Sequence, residues 1–153
     1  MSEIKIRNMT IDDLPKIYRL GEKVFTLNKY PNLHRVWDEN EVVEFFVNDK
    51  ESCFVAVDEK NEIAGFILSY IIHKASIRYG YLVWLCIDKQ YEKQGIASIL
   101  FDKFLEHMKK NDVETVIVDV EKSNEKALNF FRNKGFSSPK EQIYLTLNLK
   151  DKK

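Results

Sequence analysis

Two stretches of the chain carry residue types at spacings that suit chemistry. The first reads Leu85-Cys86-Ile87-Asp88-Lys89-Gln90-Tyr91-Glu92-Lys93-Gln94-Gly95-Ile96-Ala97. An apolar strand stops, a polar loop turns, and a helix starts at a glycine followed two residues on by alanine. Backbone N–H groups at a helix N-terminus lack internal acceptors and sit at the positive end of the dipole, so they attract phosphate. Gly95 carries no Cβ to hold a ligand off the backbone, and Ala97 keeps the next turn thin. A glycine in an ordinary strand-to-helix turn explains the same letters. The second stretch, Val116-Ile117-Val118-Asp119-Val120, sets one carboxylate inside an apolar run. Burial there would raise its pKa toward the working pH of a general base; an Asp facing solvent is the other reading.

The elements that would position these groups follow from periodicity. Ile4 to Arg7 alternates as a strand, and Thr10 with Asp13 forms a capping box ahead of a helix bearing Leu14, Ile17 and Tyr18. A polar and aromatic loop from Thr26 to Trp37 leads to a second helix with Val42, Val43, Phe45, Phe46 and Val47. Ser52 to Val57 and Ile63 to Ile72 read as two strands joined by a short polar turn, hence antiparallel. Tyr79 to Asp88 lacks alternation, which suggests a central strand buried on both faces. Gly95 to Lys110 is a helix whose stripe is Ile96, Leu100, Phe104 and Met108. Thr115 to Val120 is a further buried strand. Ser123 is placed to cap a short helix that stops at Gly135, and Ile143 to Leu149 alternates as a closing strand. The string is β-α-α-β-β-β-α-β-α-β, an α/β fold with a mixed, mostly antiparallel sheet, expected as one domain over residues 1–153.

Composition narrows the classes. Lys+Arg 24 against Asp+Glu 24 leaves no basic excess, which argues against nucleic acid as the main partner. No apolar run approaches the ~18 residues of a membrane span, and the start lacks a signal-peptide core. Cys53 and Cys86 are too few for a disulfide framework, so a reduced, cytoplasmic setting is expected. His34, His73 and His107 lack ligand spacing, so no metal site is expected. A Cys86–His73 nucleophilic pair on neighbouring strands would lack an orienting third group.

The stretch Val118-Asp119-Val120-Glu121-Lys122-Ser123-Asn124, then Ala127, Phe130-Phe131 and Gly135-Phe136, resembles the closing motif of the GNAT superfamily of acyl-CoA-dependent N-acyltransferases. The Gly95 segment is similar to that family's pyrophosphate loop, (Gln/Arg)-x-x-Gly-x-(Gly/Ala). The order of elements matches over nearly the whole chain. The resemblance implies a sheet splayed between two central parallel strands and acetyl-CoA as cosubstrate, with no metal. It implies that the main chain of Leu85, Cys86 and Ile87 meets the pantetheine arm, and that amides of Gln90, Glu92, Lys93, Gln94, Gly95, Ile96 and Ala97 cradle the pyrophosphate. Asn124 and Ala127 would form the opposite wall, with Phe130 and Phe131 at the thiol end. Lys93 and Lys126 are either phosphate partners or solvated lysines.

The sequence departs from the family at two positions. Glu92 stands where Gln or Arg is usual, and a carboxylate repels a pyrophosphate. Phe131 stands where many members carry a tyrosine that protonates the leaving thiolate. The implied reaction is transfer of acetyl from acetyl-CoA to a primary amine (a protein N-terminus, a lysine or a small molecule) in a ternary complex. The alternative is an acyl-CoA-binding sensor without turnover. Asp119 is the candidate base, matching a Glu in relatives similar to ribosomal-protein N-terminal acetyltransferases. Tyr144 and Tyr81 are candidate replacement acids or packing residues, and Tyr81 also falls on the acceptor side. Tyr30, His34 and Trp37 are candidate acceptor-wall residues, although Trp37 also suits stapling of the second helix. The short connection from Ser137 to Gln142 suggests an open acceptor site, suited to a side-chain or small amine. A monomer or homodimer with no membrane partner is expected.

Overall fold

In the computed structural model, residues 3–25, 36–137 and 139–150 are described. Two compact units result, Met1–Asp119 and Val120–Lys153.

The first unit holds a five-stranded sheet in the order β1-β2-β3-β4-β5. Its strands are β1 (Lys5–Asn8), β2 (Phe54–Val57), β3 (Ile63–Lys74), β4 (Ile77–Ile87) and β5 (Thr115–Ile117). Neighbours pair antiparallel except β4 and β5, which are parallel. Helices α1 (Leu14–Val24) and α2 (Glu39–Asp49) pack on one face and α3 (Ile96–Lys110) on the other. Alternation along β2 divides its residues between two cores. Val55 and Val57 join the cluster of Ile17, Leu20, Val42 and Phe45, whereas Phe54 meets the His107 ring of α3 at 5.8 Å. The α3 stripe Ile96, Leu100, Phe104 and Met108 is buried throughout, as its spacing requires.

The start of α1 follows its sequence signal. Asp13 and Thr10 exchange capping-box bonds, a single 3-10 turn (Ile11–Asp13) intervenes, and Pro15 occupies the first helical turn. Asp13 is itself buried and takes a bidentate pair from Arg7 at 2.7 and 3.0 Å. Burial raises the carboxyl pKa, but the bonds from Arg7 and Thr10 outweigh it and hold the group below its usual range.

Three expectations need correction. β4 alternates between buried and half-buried residues instead of being buried on both faces. Its register against β3 slips between Leu68↔Trp84 and Ser69↔Leu82, so Val83 is an inserted bulge residue. The bulge swaps faces: Gly80 lies against Met108 of α3, and Trp84 joins the α1/α2 core. β5 is short, and Thr115 and Ile117 are exposed, because this edge strand pairs with β4 over three residues only. Ile143 to Leu149, expected to supply the closing strand, form no strand. Ile143, Leu145 and Leu147 are exposed there, since alternation produces a strand only where a ladder partner receives it.

The second unit is organised by α4 (Glu125–Asn133). Asn124, one residue beyond the expected Ser123, is the cap: its Oδ1 accepts from Ala127 N–H at 3.2 Å. At the other end Gly135 N–H donates to the Arg132 carbonyl and Phe136 N–H to that of Phe131, both at 3.0 Å. This is a Schellman stop with Gly135 at φ +100°. The Phe136 ring closes it against Phe131, with centroids 5.3 Å apart.

Candidate active site

The loop from Asp88 to Gly95 is held by its own polar groups. Asp88 N–H donates to the Ala64 carbonyl at 2.8 Å, extending the β3/β4 ladder by one residue. Its Oδ1 accepts from Gln90 N–H at 3.1 Å, an Asx turn that starts the 3-10 turn Lys89–Tyr91. Lys23 lies 3.8 Å from the same carboxylate. Tyr91 O–H donates to Asp58 Oδ2 at 2.7 Å, and that bond pushes the phenol up to about 12.

Beyond the turn the backbone opens out. Lys93 and Gly95 take left-handed conformations, φ +65° and +77°. Gly95 is the N-cap of α3, and a Cβ built on it meets nothing within 4 Å. The glycine is therefore required by backbone conformation, with open space in front of it. Ile99 is the first α3 amide to bond back, to the Gly95 carbonyl at 3.2 Å, so the amides of Ile96, Ala97 and Ser98 precede the helical ladder. The expected cradle is thereby divided. Gln90 and Glu92 donate their amides to Asp88 and Lys89 within the loop, while Lys93, Gln94, Gly95, Ile96 and Ala97 form the opening at the helix start. Nothing in the sequence pointed to Ser98 or to the left-handed Lys93. The Asx turn at Asp88 was legible as an Asp two residues before Gln90.

Leu85, Cys86 and Ile87 pair with Ile67, Phe66 and Gly65 of β3. On the other side of β4, the β5 ladder ends at Tyr81↔Ile117, so these three residues lie beyond it. This is the expected divergence of the parallel strands. Cys86 and His73 sit toward opposite ends of the β3/β4 hairpin and cannot form a pair.

At the point of divergence Tyr81 O–H donates to Asp119 Oδ1. Asp119 is exposed, so it takes the solvent-facing of the two arrangements open from sequence. The Tyr81 ring packs edge-on against Tyr70, its register partner on β3, with centroids 5.5 Å apart. Tyr70 in turn meets Phe45 of α2 at 5.9 Å. Sequence reasoning missed Tyr70, because cross-strand neighbours follow only from register.

Trp37 belongs to an aromatic cluster with Phe25, Phe66 and Trp84, at centroid distances of 5.3, 5.6 and 5.0 Å. Its Nε1–H donates to the Tyr18 carbonyl at 2.9 Å, so it ties the approach to α2 onto α1. Tyr30 and His34 lie outside the described residues. In the second unit Phe131 is buried, Phe130 partly so, and Tyr144 stands half-exposed in the segment that forms no strand. Among the described residues no His, Cys, Asp or Glu cluster suits a metal, and no helix is long and apolar enough to cross a membrane. The Cys53 thiol is buried and free, pushed up to about 12 chiefly by desolvation.

The acetyltransferase (GNAT) family model matches residues 14–136. The chain belongs to this family. Its reaction class is acetyl transfer from acetyl-CoA to an amine. It is 32% identical over 108 residues to N-alpha-acetyltransferase 30 of Schizosaccharomyces pombe, covering 70% of this chain and 72% of that protein. Against the human N-alpha-acetyltransferase 30 it is 29% identical over 104 residues, 68% of this chain but 29% of the human protein. The NatC complex solved with Gag peptide and CoA contains a chain of the same fold, TM-score 0.79 at 22% identity, covering 90% of this chain and 87% of that one.

Proposed function

We propose that this chain acetylates the α-amino groups of peptides or proteins by direct transfer from acetyl-CoA. The observation that carries the reading is the Tyr81–Asp119 hydrogen bond at the end of the β4/β5 ladder. It aims a carboxylate at the place where the two parallel strands part. The amides at the start of α3 hold the pyrophosphate, and the β4 backbone from Leu85 to Ile87 takes the pantetheine arm. Asp119 accepts the proton that the amine loses as nitrogen bonds to the thioester carbonyl carbon. Tyr81 orients that carboxylate, and the C–S bond breaks to release thiolate.

The choice of α-amine rests on the relatives' names and on charge. An α-amine with pKa near 8 is roughly 10% neutral at pH 7, whereas a lysine is roughly 0.04% neutral. An exposed carboxylate has less to do with the former. An acceptor panel tests this choice. Thiol release is followed with acetyl-CoA and peptides that have free N-termini, blocked peptides with one lysine, and an aminoglycoside. Free N-termini are expected to give at least tenfold higher kcat/KM. Asp119→Asn is expected to lower turnover about 10- to 1000-fold with unchanged acetyl-CoA affinity. Faster reaction of the blocked lysine peptides overturns the acceptor assignment, and full activity of Asp119→Asn overturns the base.

A further inference from the structure

The loop that leads to Gly95 is seated on one end of the β2/β3 hairpin. Between Ala56↔Gly65 and Val57↔Ile63 the register slips by one residue, so Ala64 is the inserted residue of a bulge in β3. Its carbonyl accepts from Asp88 N–H at 2.8 Å, which fixes the first end of the 3-10 turn Lys89–Tyr91. The other end is fixed from the turn that joins β2 to β3. Asp58 divides its carboxylate there. Its Oδ1 accepts from the Lys60 and Glu62 amides, both at 2.9 Å, and its Oδ2 accepts from the Tyr91 hydroxyl at 2.7 Å. Asn61, in the same turn, takes a bond from Arg7 at 2.9 Å on its side chain and from Lys16 at 3.0 Å on its carbonyl. The seat is thus tied to β1 and α1 as well as to its own strands.

Two residues beyond Tyr91 the chain turns left-handed at Lys93, φ +65°. A residue with a Cβ is strained in that region and persists there only where its surroundings determine it. Helix α3 holds the chain after Gly95, and Tyr91 holds it before Lys93. A loop fixed at both ends presents its amides already oriented, whereas a loose one must be ordered when the ligand binds, at a cost in affinity. We propose that Tyr91 is a positioning residue for the coenzyme: its bond to Asp58 holds the amides of Lys93 to Ala97 in the arrangement that receives the pyrophosphate. The inference rests on the reading of those amides as the pyrophosphate cradle. It involves neither the acceptor nor the Tyr81–Asp119 pair.

The test compares acetyl-CoA with S-acetylpantetheine, which carries the same thioester without the pyrophosphate and nucleotide. Rates are measured with the fastest amine of the acceptor panel, acetyl-CoA affinity is measured by calorimetric titration, and melts check the fold of each variant. The wild type is expected to prefer acetyl-CoA by at least about 100-fold in kcat/KM, the worth of one or two bonds to a charged group. Tyr91→Phe should weaken acetyl-CoA binding and raise its KM about three- to tenfold, as the loss of one hydrogen bond does. Its kcat at saturating acetyl-CoA and its rates with S-acetylpantetheine should stay at the wild-type level. Tyr91→Phe added to Asp58→Ala should lower acetyl-CoA affinity no further than Asp58→Ala alone. Wild-type acetyl-CoA affinity in Tyr91→Phe, equal losses with both thioesters, or full additivity with Asp58→Ala overturns the proposal. A wild-type enzyme that uses both thioesters equally well overturns the cradle itself, and the proposal with it.

Discussion

Gly95 offers a test that separates backbone strain from ligand exclusion. A Cβ at this position meets no atom within 4 Å, so in the free protein alanine adds no clash. Its penalty is conformational: φ is +77°, and an L-residue pays about 1–2 kcal/mol in the left-handed region. For a chain of this size that corresponds to a melting temperature lower by about 2–8 °C. Asn tolerates the same conformation better, so Gly95→Asn should lose less stability than Gly95→Ala. Coenzyme affinity should rank differently. A side chain in front of the amides of Lys93 to Ala97 displaces the pyrophosphate and removes one or two hydrogen bonds to a charged group. Each is worth about 1.5–3 kcal/mol, so acetyl-CoA binding should weaken roughly 10- to 100-fold for each bond lost. The larger Asn should weaken it at least as much as Ala does. Calorimetric titration and thermal melts of the two variants supply both rankings. A folded Gly95→Asn protein that binds acetyl-CoA like the wild type would refute the cradle. An affinity loss that tracks stability loss would show that only loop strain matters.

Three further outcomes are expected. The His107 imidazole is pushed down by burial beside Ser52, with Lys110 reinforcing this and Asp49 and Glu51 opposing it. The unfolded chain therefore binds the extra proton first, and stability should fall as pH drops from about 6.5 through the folded value. Melts at pH 7.5 and 5.5 should differ, and an equal difference in His107→Gln would assign the loss to other groups. Arg7→Met leaves the buried Asp13 carboxylate without its bidentate partner. It should cost about 2–3 kcal/mol in urea unfolding, below the fully buried range because Arg7 is partly solvated; a loss under about 0.5 kcal/mol would reduce the pair to a surface contact. Phe131→Tyr should raise turnover severalfold where thiolate departure limits the rate, with a new decline near pH 10. An unchanged rate and pH profile in a stable variant would mean that the thiolate needs no acid at this position.

Much of the backbone course at Gly95 and of the segment from Asn124 to Phe136 could be read from the sequence, because its physics is local. The capping box at Thr10 and Asp13, the stripe of α3, and the left-handed Gly95 and Gly135 depend on residues within a few positions of one another. The Asn-x-x-Ala and Phe-x-x-x-Gly-Phe spacings have direct counterparts in the Asn124 cap and the Schellman stop. Tertiary structure alone decided what depends on distant partners. The bulge at Val83 has no glycine to announce it, yet it turns Trp84 into the α1/α2 core. From sequence Asp119 reads equally as buried in an apolar run or facing solvent; β5 stops two residues earlier and leaves it exposed beneath the Tyr81 hydroxyl. Ile143 to Leu149 alternates like a strand and forms none. Periodicity states which face a residue would take if a ladder forms; which strands pair, and for how long, is set by contacts between residues far apart in the chain.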